Sequence, residues 1–241
     1  MKIYAATQKG VQKTQNEDRI ALNHEILAAG TYECECAEGF VAIADGVGGN
    51  KAGAVASQFV ADELRKCGHS IENLTEINQS LIACSQTDEA LAGMATTLAL
   101  VDFNENSAKI TYVGNTRVYV VVNGKYLKQL TRDDTTLEYL LATGQLDAST
   151  AESFNRKNEI TACFGAGNPA LLKLKQIDAS GLDALILTSD GIHDYVSLDE
   201  MEDIYCTEND RVKFCKKLIE QARKNGSMDD MSISVCYVGL N

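Results

Sequence analysis

Two short runs constrain this chain more than any other feature: Phe-Val-Ala-Ile-Ala at 40–44 and Ala-Leu-Ile-Leu-Thr at 184–188. Five residues with almost no polar alternate read as a strand covered on both faces. Each run leads into an Asp-Gly pair, directly into Asp45-Gly46 in one case and through Ser189 into Asp190-Gly191 in the other. A carboxylate at a strand end projects into a cleft, and a glycine beside it lets backbone approach a ligand closely. Two buried strands each delivering a carboxylate to a loop suggest one site built from both.

Other segments supply the rest of the sheets. Residues 96–103 (Thr-Thr-Leu-Ala-Leu-Val-Asp-Phe), 109–113 and 117–122 are β-branched or aromatic and separated by turn-like stretches, and 232–238 (Ser-Ile-Ser-Val-Cys-Tyr-Val) closes the set. Helices are expected between them. Residues 52–66 place Val55, Phe59, Val60 and Leu64 on one face. A weaker pattern covers 71–85, and shorter ones cover 135–143 and 197–204. The last of these opens with Ser197 and Glu200 in capping-box spacing. Residues 210–224 are amphipathic. Strands outnumber helices and arrive as meanders, which favours antiparallel sheets with helices packed outside over alternating βαβ units. A single domain over 1–241 is expected, since no low-complexity linker or repeat interrupts the chain and Pro169 is its one proline.

Composition narrows the partners. There are 34 Asp and Glu against 22 Lys and Arg, a formal net charge of −12. That excess argues against a surface that tracks a nucleic-acid backbone. No apolar run approaches the ~18 residues of a membrane span, and residues 1–10 carry no apolar signal-peptide core. A cytoplasmic protein is expected. Of the eight cysteines only Cys34 and Cys36 are close, in C-x-C spacing without the further ligands a zinc site needs, so reduced thiols are the simpler expectation.

The chemistry gathers in four acidic clusters: Asn16-Glu17-Asp18, Asp45, Asp190 and Asp229-Asp230. Any one of them reads more readily as a turn. Converging, they would form an oxygen-rich pocket suited to a hard cation such as Mg²⁺ or Mn²⁺. The glycine-rich stretch after Asp45 matches neither GxxxxGK[ST] nor GxGxxG, which removes the two common nucleotide-binding loops.

The order of motifs resembles the type-2C, metal-dependent serine/threonine protein phosphatases over 10–238, with the closest likeness to bacterial members. The matching segments are Gly-Val-Gln-Lys-x-x-Asn-Glu-Asp (10–18), Ala-Asp-Gly-Val-Gly-Gly (44–49), Gly-Met-Ala-Thr-Thr (93–97), Val-Gly-Asn-Thr-Arg-Val-Tyr (113–119), Leu-Thr-Arg-Asp-Asp (130–134), Leu-Thr-Ser-Asp-Gly (187–191) and Gly-Ser-Met-Asp-Asp-Met-Ser (226–232). The resemblance implies a four-layer α-β-β-α sandwich of two mainly antiparallel sheets flanked by helices. It implies two Mn²⁺ or Mg²⁺ ions bridged by Asp45, with Glu17 and the Gly46 carbonyl on one and Asp190 and Asp229 on the other. Asp18 would orient bound water, which attacks phosphorus in line without a phosphoenzyme. Phosphorylated proteins are the implied substrates, with a cognate serine/threonine kinase as a further partner and a monomer as the expected state. Residues 131–156 would form a flap beside the site.

This sequence departs from the family pattern in four places. Lys13 stands where an Arg usually grips the substrate phosphate, and a lysine offers a point charge in place of a two-pronged fork. Val47 stands where eukaryotic members carry a His, and Asp230 where Asn is commoner. Asn115 replaces an Asp that helps hold a third metal, leaving Asp190 and Asp194 for that ion, which is expected to be weak or absent. His193 is taken as a loop residue in preference to an acid, and His24 and His69 as surface residues. Cys84 and Cys163 are read as buried structural thiols, not nucleophiles. The main alternative is a non-catalytic phosphoprotein-binding relative, which should have lost metal carboxylates. A small-phosphoester hydrolase with similar metals is a third reading.

Overall fold

Alternation of side chains accounts for the two apolar runs. In the strand Gly39–Val47, Val41 and Ile43 enter one buried layer, while Phe40 and Ala42 enter another. In Ala184–Thr188, Leu185 and Leu187 join the first layer and Ala184 and Ile186 a third. Both strands are covered on both faces, so neither shows a polar alternate. Burying a side chain such as Ile43 or Leu187 completely is worth about 1.5–3 kcal/mol by transfer alone.

The computed structural model describes residues 1–47, 51–104 and 107–237. Gly48, Gly49 and Val238, part of the motifs and strand read above, lie outside the described residues. The strands are β1 (Lys2–Gln8), β2 (Asp18–Leu22), β3 (Ile26–Leu27), β4 (Gly30–Glu35), β5 (Gly39–Val47), β6 (Ala95–Thr96), β7 (Leu98–Phe103), β8 (Ala108–Val113), β9 (Arg117–Val122), β10 (Tyr126–Gln129), β11 (Phe164–Gly165), β12 (Lys175–Asp178), β13 (Ala184–Thr188) and β14 (Met231–Tyr237). The helices are α1 (Lys51–Leu64), α2 (Ile71–Ser85), α3 (Thr136–Ala142), α4 (Asp190–His193), α5 (Leu198–Thr207) and α6 (Arg211–Lys224). One sheet has the order β10-β9-β13-β14-β1-β4. The other runs β11-β6-β5-β7-β8-β12, with β2 paired to β5 and β3 to β2. Every pairing is antiparallel.

Three apolar clusters separate four layers. One lies between the sheets, built from residues such as Ile3, Ile20, Ile43, Val101 and Leu187. A second packs α4, α5 and α6 on the first sheet through Ile192, Met201, Phe214 and Leu218. A third packs α1 and α2 on the second sheet through Val60, Leu64, Leu74 and Leu81. The result is an α-β-β-α sandwich. No helix among the described residues is long and apolar enough to cross a membrane, and the eight cysteines are free.

The helices between the strands form, and side-chain caps start four of them. Ser70 caps α2 by accepting from the Asn73 N–H, Thr135 caps α3, and Asp210 caps α6. Ser197 and Glu200 form a complete capping box at α5. Several expectations need correction. The buried face of α1 is Ala52, Ala56, Val60, Ala61 and Leu64, whereas Val55 is 36% exposed. Close packing on β5 selects small residues for that face and turns Val55 outward. The run 96–103 is two strands broken at Thr97, whose N–H donates to the Asp45 carbonyl at 2.9 Å and whose hydroxyl accepts from the Asp45 N–H at 3.2 Å. His69 is not a surface residue. Its ring rests on Phe40, with Nδ1 3.1 Å from Asp102 and Nε2 2.9 Å from the Leu64 carbonyl. His193 ends α4 and is buried, so it is no loop residue. Cys84 is half-buried, while Cys163 is buried.

Candidate metal centre

The site begins with strand register. Asp18 lies directly across from Asp45 in the β2–β5 pair, so two carboxylates face each other at one end of the second sheet. The backbone of Asp45 is held firmly: besides its two bonds to Thr97, its carbonyl accepts from the Thr96 hydroxyl at 2.8 Å. The Gly46 N–H donates to the Glu17 carbonyl at 3.2 Å. A Cβ on Gly46 would sit 2.3 Å from the Gly53 carbonyl oxygen of α1, so only glycine admits the helix that closely.

The loop preceding β2 is tied to the far end of the chain. The Asp230 carboxylate, 3% exposed, accepts from the backbone N–H groups of Gly10 at 2.8 Å and Glu17 at 2.7 Å. The Glu17 carbonyl also accepts from the Ser57 hydroxyl at 2.5 Å. These bonds aim Glu17 inward and stand Lys13 over it. The Lys13 ammonium is 2.6 Å from Glu17 Oε2 and 3.1 Å from Asp229 Oδ1. Burial opposes its charge, but the bond to Glu17 and the attraction of Asp229 outweigh that and hold its pKa above the ordinary lysine value.

The third side comes from the β13–α4 junction. The Ser189 hydroxyl donates to Asp18 Oδ2 at 2.8 Å and accepts from the Ser232 N–H at 2.9 Å. Asn115 Nδ2 donates to Asp190 Oδ2 at 3.1 Å, placing residue 115 inward against the acidic cluster and away from solvent. Thr116 Oγ1 meets Thr97 Oγ1 at 2.5 Å, joining that turn to the Asp45 support. Asp194 is held by Asn158 Nδ2 at 2.5 Å, which links it to the segment following α3. The stretch leading into α3 is stapled by Arg117 on Asp133 and by the Gly114 N–H on Asp134.

Crowding perturbs the carboxyls strongly. Burial, then Asp190, Asp18 and Asp229, push Asp45 well above the usual carboxylate range. Burial followed by Asp229 and Asp194 raises Asp190 to about 6. Burial raises Asp18 to about 7 against the opposing hydrogen bonds from Ser232 and Ser189. Burial and Arg117 push His193 well below its ordinary value, which favours the neutral ring over the imidazolium. Three buried oxygens nearby accept no hydrogen bond: Glu17 Oε1, Asp18 Oδ1 and Asn115 Oδ1. Buried, unpartnered oxygens beside protonation-prone carboxyls fit hard cations. Among the described residues no three acidic, His or Cys side chains already close into a cage; Lys13 stands between two of the carboxylates instead.

All the acidic residues singled out in the sequence, Glu17, Asp18, Asp45, Asp190, Asp194, Asp229 and Asp230, come from loops, strand ends and the two ends of α4 at this one end of the sandwich. The supporting hydroxyls and amides of Thr96, Thr97, Ser189, Ser232 and Asn158 were missed as individuals. Four of the five lie inside the quoted motifs, but nothing in a serine or threonine beside a motif carboxylate says which group it will hold.

A family model described as Protein phosphatase 2C matches residues 11–232. Protein phosphatase PhpP of Streptococcus pneumoniae is 29% identical, over 100% of this chain and 98% of that protein. Serine/threonine phosphatase stp of Listeria welshimeri is 27% identical, over 94% and 92%. Among solved structures, serine/threonine phosphatase Stp1 of Staphylococcus aureus aligns with a TM-score of 0.82 at 26% identity, over 99% of this chain and 95% of that one. The Mycobacterium tuberculosis serine/threonine phosphatase PstP/Ppp aligns with 0.81 at 26%, over the full length of both.

Proposed function

The chain belongs to the protein phosphatase 2C family, and from that membership we propose that it is one catalytic domain that hydrolyses phosphoserine and phosphothreonine in proteins. Glu17, Asp45 and the Gly46 carbonyl would hold one Mn²⁺ or Mg²⁺, and Asp45, Asp190 and Asp229 a second. Such a pair, when bound, supplies an acidified water and neutralises charge on the phosphoryl oxygens. Lys13, one-third exposed beside Glu17 and Asp229, would bind the phosphoryl group once it leaves those carboxylates. Asp18, fixed through Oδ2 by Ser189, keeps Oδ1 free to orient water. A cysteine nucleophile is not needed, and burial pushes the Cys163 thiol up to about 11, away from the reactive thiolate.

The observation that carries this reading is the set of buried, unpartnered oxygens on Glu17, Asp18 and Asn115 around Asp45 and Asp190. The test is phosphate release from phosphoserine, phosphothreonine and phosphotyrosine peptides, with Mn²⁺ and after exhaustive chelation. Release from the first two in Mn²⁺, lost on chelation and restored by Mn²⁺, is expected; full turnover in the chelated protein would falsify the metal requirement. A phosphoprotein sensor would bind the same peptides and release nothing.

A third ion at Asp190, Asp194 and residue 115 would be weakly held, because the Asn115 amide brings no charge. Asn115→Asp should lower the Mn²⁺ concentration for half-maximal activity several-fold. Overlaying Mn²⁺ titrations of variant and wild type would show that residue 115 does not touch an ion.

A further inference from the structure

The ammonium of Lys13 lies where the two proposed metal sites meet. It contacts Glu17 Oε2 at 2.6 Å and Asp229 Oδ1 at 3.1 Å, and the proposed function gives these carboxylates to different ions. A lysine that bridges ligands of both sites cannot also reach out to a phosphoryl group. Its stem is anchored close by, since the Lys13 carbonyl accepts from Lys9 Nζ and the Lys13 N–H donates to the Gly10 carbonyl. The side chain is one-third exposed, so it is free to swing outward. Glu17, by contrast, is 2% exposed and fastened through its backbone by Asp230 and Ser57. The lysine, not the carboxylate, is the movable partner.

We propose that Lys13 is a built-in counter-cation that closes the metal-free site, and that metal binding releases it to bind the substrate phosphoryl group. The inference rests on the metal-site reading above and adds an order of binding to it: ions first, phosphoprotein second. Lys13 would give up its ion pair with Glu17 to one cation and with Asp229 to the other, so the lysine would lower metal affinity. With its carboxylate partners taken up by bound cations, the Lys13 ammonium would turn toward solvent, where it can pair with a phosphate dianion. One side chain thereby holds the acidic pocket together when it is empty and serves as a phosphate ligand when it is filled. An arginine fork is longer and suited to two-pronged binding, whereas a lysine presents the compact point charge that fits between two carboxylates.

The test measures metal binding apart from catalysis. Metal-stripped wild type, Lys13→Met and Lys9→Met are titrated with Mn²⁺, following free Mn²⁺ by its paramagnetic resonance signal. Melting temperatures are taken in chelator and in saturating Mn²⁺. Lys13→Met should bind Mn²⁺ roughly 5- to 100-fold more tightly than wild type. Lys9→Met, which removes a neighbouring charge and a donor to the Lys13 carbonyl but no partner of a site carboxylate, should stay within about twofold, since the Lys13 N–H bond to Gly10 still holds the stem. Lys13→Met should melt below wild type in chelator and at or above it in Mn²⁺. Equal affinities for wild type and Lys13→Met, or an equal gain in Lys9→Met, would overturn the proposal, the second by reducing it to a general field. So would a melting temperature lowered equally in both buffers, which marks an ordinary structural lysine. If no form binds Mn²⁺, the metal-site reading itself fails, an outcome distinct from equal and measurable affinities.

Discussion

Asp45→Ala is expected to lower kcat on the order of 10³-fold at saturating Mn²⁺, about 4 kcal/mol of barrier, while raising the melting temperature of the metal-free protein. Both effects come from the same carboxylate. Asp45 sits at the end of β5 opposite Asp18, with Asp190 and Asp229 close enough to raise its pKa. As the proposed bridge between two ions, its loss disturbs both. Without metal, the folded protein instead carries a carboxylate that burial and three neighbours resist ionising. The folded pKa lies above the unfolded value of 3.8. Its contribution to stability is therefore fully present below that value and is lost as pH rises through the folded pKa. The alanine variant has no such loss. Its advantage in melting temperature, read in chelator, should be smallest near pH 4 and widen toward neutral pH. In Mn²⁺ the order should reverse, since wild type gains more from binding. Retention of more than about a tenth of wild-type kcat would remove the bridging role.

Gly191→Ala is expected to destabilise the protein by about 2–4 kcal/mol, a fall in melting temperature of roughly 5–15 °C, and to abolish activity. A Cβ at Gly191 would lie 1.9 Å from the Asp230 carbonyl oxygen and 2.9 Å from its carbonyl carbon. Those are backbone atoms, and they cannot swing aside as a side chain can. Asp230 is also the residue that clamps the Gly10 and Glu17 N–H groups, so moving it displaces Glu17 and Lys13 together. Thermal unfolding in chelator and in Mn²⁺ should show the loss in both buffers, because the clash does not depend on metal. A variant that melts within about 1 °C of wild type would show that the α4–β14 junction has room the structure does not reveal.

The Gly191 case marks the boundary of what could be read from sequence. The Asp-Gly pair following 184–188 announces a close backbone approach, because glycine after a strand-end carboxylate has few other uses. It does not say what approaches; the answer is a residue 39 positions later. The helix α1 shows the same limit. Its existence and the burial of Val60 and Leu64 were legible from apolar spacing, but the exposure of Val55 and the burial of Ala52 and Ala56 were not. Hydrophobicity favoured the larger residues, and the packing distance to β5 favoured the smaller ones.

By itself the sequence determined which segments become doubly covered strands, that Ser197 and Glu200 start a helix, and which carboxylates stand at strand ends. Those signals act between residues within a few positions of one another, through side-chain period and hydrogen bonds to the nearest orphan N–H groups. Only the tertiary structure decided that Asp18 faces Asp45, that Asp230 holds Gly10 and Glu17 from 220 and 213 residues away, and that Lys13 lies between Glu17 and Asp229. Strand register and charge pairing across such separations depend on how the layers pack, and no local period in the chain records that.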